Sequence, residues 1–165
     1  MSRNRRVAVM AVLVAALAIA VNVVPSAAQE APPPIAAEPL TPRSIFPDQV
    51  DLKFKVKHGK ATMVVNQGDP SHTVVVRYTV QPGARFPWHS HAGPVVVNIV
   101  SGSLTYIPAD TCIGQTYFAG QAFLDAGHGH VHSAVNSGMT PTVFVATFFG
   151  APAQGPLLIP ADPAC

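Results

Sequence analysis

From about residue 50 onward the chain is a succession of short β-branched runs: ATMVV, HTVVVRYTV, PVVVNIV, SLTYI, GQTYFA, QAFLDA, HVHSAV and PTVFVATFF. Gly, Pro, Asn or Asp separates them. Val, Ile and Thr are stiff at χ1 and fit a pleated surface better than a helix, and no segment sustains a helical period. Turn chemistry falls between the runs at Gln81-Pro82-Gly83, Ser101-Gly102 and Ala119-Gly120, where Gly supplies unusual dihedrals and Pro fixes φ. Short strands at this spacing predict an all-β barrel or sandwich. One domain over residues 50–150 follows, large enough to bury a core without a metal being obligatory for folding.

The flanks read differently. Residues 29–49 carry Pro32, Pro33, Pro34, Pro39, Pro42 and Pro47 and are expected to be an extended linker. Residues 151–165, APAQGPLLIPADPAC, form a second Pro-rich tail. Residues 1–28 have a basic start (MSRNRR), an apolar stretch and small residues at Ser26 and Ala28, the three regions of a secretory signal peptide. Cleavage after Ala28 and an extracytoplasmic or secreted location are expected. The alternative is an uncleaved N-terminal anchor, the only membrane contact foreseen, since the apolar run approaches the roughly 20 residues that span a bilayer.

Without residues 1–28 the chain loses Arg3, Arg5 and Arg6, leaving seven basic against eight acidic groups. The basic pI therefore belongs to the leader, and no nucleic-acid partner is indicated. Lys53, Lys55, Lys57 and Lys60 alternate with Leu52, Phe54 and Val56 as the solvated face of an edge strand would. Cys112 and Cys165 are the two cysteines, and in an exported chain a disulfide between them is expected. The alternative is two unpaired thiols.

His89 and His91 stand at i and i+2 in PGARFPWHSHAG, and His132 follows in HGHVHSAVN. Residues two apart on a strand share a face, so both imidazoles of the pair can reach one ion. These residues resemble the cupin family, whose motifs are G-x5-H-x-H-x3,4-E-x6-G and G-x5-7-P-x-G-x2-H-x3-N. The first falls on Gly83, His89, His91 and Gly102, the second on Gly120, Gly129, His132 and Asn136. Val95 takes the place of the motif glutamate, and Gly127 that of the proline.

The resemblance implies a double-stranded β-helix barrel with a jelly-roll-like topology and a metal centre on His89, His91 and His132. His130 is a candidate additional ligand. No glutamate follows Glu38, so the expected centre is neutral three-histidine, holding a divalent ion among Fe, Mn, Zn, Ni and Cu without distinction. Gly127 and Gly129 predict a turn that takes His128 away from the site. Asp125 reads as a turn residue, with orientation of an imidazole N–H as its other role. Phe86, Trp88, Tyr106, Phe123 and Phe148 are candidate pocket walls, with Trp88 pointing outward, and Asn136 is expected to hydrogen bond rather than ligate.

Two functions are carried forward. The first is a metal-dependent, dioxygenase-type oxidoreductase acting on a small organic substrate; the second is a non-catalytic cupin that binds a metal or small ligand. Homodimerisation through sheet edges is an implication of the resemblance alone.

Overall fold

Alternation is what makes the strands. In His72–Val80, every second residue from Val74 to Val80 is buried, and Thr142–Ala151 buries Phe144, Ala146 and Phe148 in the same rhythm. Successive side chains of a strand point to opposite faces, so these two segments each present one apolar row to a common interior. The structure is a computed structural model describing residues 34–58 and 61–165. The expected leader, residues 1–28, lies outside the described residues.

The strands are β1 (Ile35–Pro39), β2 (Ser44–Ile45), β3 (Asp51–His58), β4 (Ala61–Gly68), β5 (His72–Val80), β6 (Arg85–Ser90), β7 (Val95–Ser101), β8 (Ser103–Pro108), β9 (Gln115–Phe118), β10 (Ala122–Asp125), β11 (His132–Val135), β12 (Thr142–Ala151) and β13 (Ile159–Pro160). No helix occurs among the described residues. One antiparallel sheet runs β1-β5-β12-β7-β10, with β2 also on β5. A second runs β13-β6-β11-β8-β9, and β3 and β4 form a separate hairpin. The chain thus crosses repeatedly between two facing sheets, the all-β double-stranded β-helix arrangement expected from the motifs.

Between the sheets, Val76, Val80, Val97 and Ile99 from the first meet Phe86, Leu104 and Ala134 from the second. Tyr78 stacks on Phe144 at 5.0 Å between ring centroids and meets Phe86 edge-on at 5.6 Å. Such aromatic pairs add about 1 kcal/mol each beyond the area they bury. Asn136, wholly buried, donates to the carbonyls of Val80 and Thr140 and accepts from the Gly138 N–H; it ties two chain reversals together and stands away from the histidines' cavity.

Part of each Pro-rich flank is built into the sheets. Ile35–Pro39, inside the segment read as a linker, pairs with β5 from Val80 to Val76. An extended, proline-bearing strand is tolerated at a sheet edge because its missing N–H is not needed by a further neighbour. Past β12, Ile159–Pro160 pairs with Ser90 and His89 of β6, and Cys165 is disulfide-bonded to Cys112 with their Cα atoms 6.0 Å apart. In the chain-entropy model a loop of this size, closed across 53 positions, contributes on the order of 4 kcal/mol.

Candidate metal centre

His89 and His132 are direct cross-strand partners between β6 and β11, and their rings stand 4.3 Å apart by centroid. His91 lies just beyond the end of β6, with its ring 4.9 Å from His89 and 5.1 Å from His132. All three are buried, and their ligand nitrogens lie within 4.8 Å of one another. Sequence positions forty-one apart meet here because antiparallel pairing sets motif two alongside motif one.

Each imidazole turns Nδ1 toward an oxygen acceptor. His89 Nδ1 faces the Pro87 carbonyl at 2.7 Å and His91 Nδ1 the Leu157 carbonyl at 2.8 Å. His132 Nδ1 lies 3.3 Å from the His130 carbonyl and 3.2 Å from Asp125 Oδ2. An oxygen acceptor at each Nδ1 fixes the proton there and leaves the Nε2 lone pair free, the arrangement found around histidine metal sites. Burial, then repulsion from His132, holds His89 down to about pKa 4, and burial lowers His91 and His132 as well. At neutral pH the set is three neutral imidazoles, the form that binds a metal, so these residues fit a divalent cation.

The structure supplies a carboxylate that motif counting did not. Val95, in the glutamate's place, is buried and lines the cavity; its cross-strand partner on β10 is Asp125, which is 1% exposed. Asp125 Oδ2 accepts from the Tyr106 hydroxyl at 2.6 Å and meets His130 Nδ1 at 3.3 Å, while Oδ1 accepts the Gly127 N–H at 2.9 Å. Burial alone would raise its pKa, but the His130 hydrogen bond, the His132 charge and the Tyr106 bond outweigh it and hold the carboxyl down to about 2. Asp125 is both the turn residue and the partner of an imidazole. The charge missing at Val95 enters from the adjacent strand, through His132.

His130 stands apart from the three-histidine cluster. It groups instead with Asp125 and His132, is half-buried, and its bond to Asp125 raises its pKa. His130 and His132 both touch Asp125 yet shift in opposite directions, because burial dominates at His132 and not at the more exposed His130. The turn foreseen at Gly127 to Gly129 is present: Gly127, His128 and Gly129 all have positive φ, and His128 is exposed. A Cβ at Gly127 would lie 2.0 Å from the Gly93 carbonyl oxygen. The chain passes too close there for the proline of the motif.

The histidines open on a cavity of about 40 Å³ walled by Tyr78, Phe86, Leu104, Phe123, Phe144 and Phe148, with Tyr106 and Leu158 also in its lining. This is room for roughly three waters or a ligand of a few heavy atoms. No lysine or arginine lines it among the described residues. Trp88 is not part of the wall; Tyr78, Phe144 and Leu158 are, and the sequence reading missed them. The first two carry an alternation signal, whereas Leu158 lies in the tail.

No protein-family model matches the chain, and no curated protein matches it in sequence. Among solved structures, the polyketide cyclase RemF from Streptomyces resistomycificus is 18% identical with a TM-score of 0.47, the match covering 55% of this chain and 61% of that one. A conserved double-stranded β-helix protein from Klebsiella pneumoniae is 28% identical, TM-score 0.44, over 50% of this chain and 66% of its own. The chain therefore spans less than two thirds of either. The Cupin_2 domain of an XRE-family transcriptional regulator from Enterobacter cloacae is 17% identical, TM-score 0.47, with 70% of this chain and 95% of that one covered. These likenesses are distant, and the chain's own register is the firmer ground: both histidine motifs lie on paired strands β6 and β11 at one end of two facing antiparallel sheets. By that topology the chain is an all-β double-stranded β-helix, and its two histidine motifs resemble those of the cupins.

Proposed function

We propose that this chain is an exported cupin that holds one divalent cation on His89, His91 and His132 and uses it on a very small ligand, as a metal-dependent oxidoreductase of the oxygenase type. The observation that carries the reading is the orientation of the three imidazoles, each with Nδ1 against an oxygen acceptor. A bound cation supplies Lewis acidity and, if it is iron or manganese, redox capacity. The protein's own part is to exclude water with an aromatic wall and to hold a phenol, Tyr106, against a buried carboxylate beside the centre. Asp125 offsets part of the cation's charge through His132. Export is supported by the Cys112–Cys165 bond, since structural disulfides persist in oxidising compartments.

A second reading, a non-catalytic metal-binding or ligand-binding cupin, is favoured by the small cavity and the absence of a cationic partner for a substrate anion in its lining. One experiment orders the two. Tag-free protein is loaded with each divalent metal in turn, its bound metal measured, and its dioxygen consumption followed on a panel of small organic substrates. One equivalent of metal, lost in His89→Ala and His132→Ala and kept in His72→Ala, is the expected result. Turnover with dioxygen selects the oxygenase, and metal without turnover selects the binding protein. Failure of every metal to bind at pH 8 sinks the oxygenase and the metal-binding protein and leaves a cupin that binds a small organic ligand.

A further inference from the structure

The segment after β12 touches the candidate centre in ways that its composition does not suggest. Leu157 contributes the carbonyl that meets His91 Nδ1, 66 positions away in sequence, and Leu158 lines the cavity. Ile159 and Pro160 then pair with Ser90 and His89, and the Ala161 N–H donates to the Trp88 carbonyl at 3.0 Å. Beyond Pro160 the chain reaches Cys165, bonded to Cys112. Cys112 sits in the turn that follows β8, its N–H on the Pro108 carbonyl, and Pro108 is the cross-strand partner of His132.

The route of this segment follows from the strand order. In β13-β6-β11-β8, three interstrand steps separate β13 from β8, about 14 Å at ~4.8 Å each. Five residues from Pro160 to Cys165 reach about 16 Å when extended. The disulfide therefore joins the two flanks of the strand pair β6–β11 that carries His89 and His132, and the span between them leaves the segment little slack. Besides the disulfide, residues 152–165 are held by the packing of Leu157 and Leu158 on the core, a two-residue strand, one hydrogen bond to Trp88, the His91 contact, and hydrogen bonds from Arg43 to the carbonyls of Pro152 and Gly155. Pro152, Pro156, Pro160 and Pro163 preclude a helix that could hold the segment by itself.

We propose that residues 152–165 are a disulfide-latched cover of the metal centre, in which the Leu157 carbonyl positions His91, Leu158 closes the cavity, and the Cys112–Cys165 bond keeps both in place. This rests on the three-histidine reading for its consequence, retention of metal, but not for the cover itself. Opening the latch with a dithiol breaks one S–S bond and leaves two cysteine thiols; the dithiol gives up two electrons and two protons and closes to its own disulfide.

The test compares the full wild-type chain with Cys112→Ser/Cys165→Ser, both loaded with cobalt(II), following release of cobalt to excess chelator by visible absorption. Release at least tenfold faster from the double variant is expected, with a changed cobalt spectrum from the loosened His91. In metal-free samples, diethyl pyrocarbonate should label His91 at least fivefold faster in the variant, with His132 little changed. If the variant does not fold, dithiothreitol-reduced wild type replaces it. Equal cobalt release and equal His91 labelling overturn the cover. Should wild type bind no cobalt, the metal reading falls, and His91 labelling alone supports or overturns the cover.

Discussion

Two of the three histidines are held by the barrel and the third by a strap. His89 and His132 face each other across β6 and β11, and each keeps Nδ1 near a carbonyl two residues earlier in its own strand region, Pro87 and His130. Their orientation is nearly a local property, fixed as soon as the strands pair. His91 lies past the end of β6, and its acceptor, Leu157, comes from a segment joined to the barrel by a disulfide and few hydrogen bonds. The same chemical role is thus filled by structure of very different stability. Local opening is cheapest where backbone pairing is short and exposed; the strap has a two-residue strand and packs on the core through Leu157 and Leu158, so the strap side is where the site should loosen first.

The largest test of the barrel side is acid. In the metal-free protein His89 titrates at about pKa 4 against 6.5 for an unperturbed histidine. The unfolded chain then binds the proton in the interval where the native one does not, so stability rises with pH there. This contribution is fully present above about pH 6.5 and is lost as pH falls through about 4, amounting to on the order of 3 kcal/mol for this one group. Asp125, held down to about 2, is also a depressed group. Its contribution is present above its ordinary value of 3.8 and fades as pH falls toward 2. Urea melts of metal-free protein should show the midpoint falling between pH 6.5 and 4 with the disulfide intact and also with it removed, because His89 is held by β6 and β11. A flat profile across that range would mean the barrel histidines are not desolvated as described.

Asp125 sharpens the comparison because, of the three histidines, its carboxylate touches only His132, on the barrel side. Asp125→Asn keeps the shape of the side chain and removes the charge that His132 Nδ1 faces at 3.2 Å. Changes to groups that orient a ligating histidine cost about 10- to 100-fold in metal affinity. Competition with a chromogenic chelator should find a loss in that range, with the rate of cobalt release to chelator raised in the latched protein and the His91 labelling rate unchanged. Unaltered affinity would reduce Asp125 to a turn residue.

How far the sequence disclosed all this depends on whether a feature is local. The strands were legible in the alternation of HTVVVRYTV and PTVFVATFF, and the turn at Gly127 to Gly129 in its glycines. The three histidines were legible because motif spacing encodes which strand ends meet. Asp125 is less legible: its place beside Val95 depends on the β7–β10 register, which pairs Asp125 with Val95 and Leu124 with Val96, and no short-range signal specifies that. Leu157 acts through its backbone carbonyl, to which residue identity is silent. The proline content that marked residues 29–49 and 151–165 as linker and tail correctly excluded helix, but edge strands are also extended, so the same signal left their pairing with β5 and β6 open.

The smallest effect concerns Arg43, whose guanidinium donates to the carbonyls of Pro152 and Gly155 and ties the beginning of the strap to the segment between β1 and β2. These bonds lie toward solvent, where hydrogen bonds contribute about 1 kcal/mol or less on balance. With the disulfide closed, the far end of the strap stays fixed whether or not Arg43 holds the near end, so Arg43→Ala alone should change cobalt release by less than about threefold. With the disulfide removed, the near end becomes one of the few remaining anchors, and the same substitution should then have the larger effect. A double-mutant cycle on Arg43→Ala and Cys112→Ser/Cys165→Ser reads that difference directly as non-additivity. Strict additivity would mean that the two ends of the strap open independently, and that Leu157 is held to His91 by contacts nearer the histidine than either anchor.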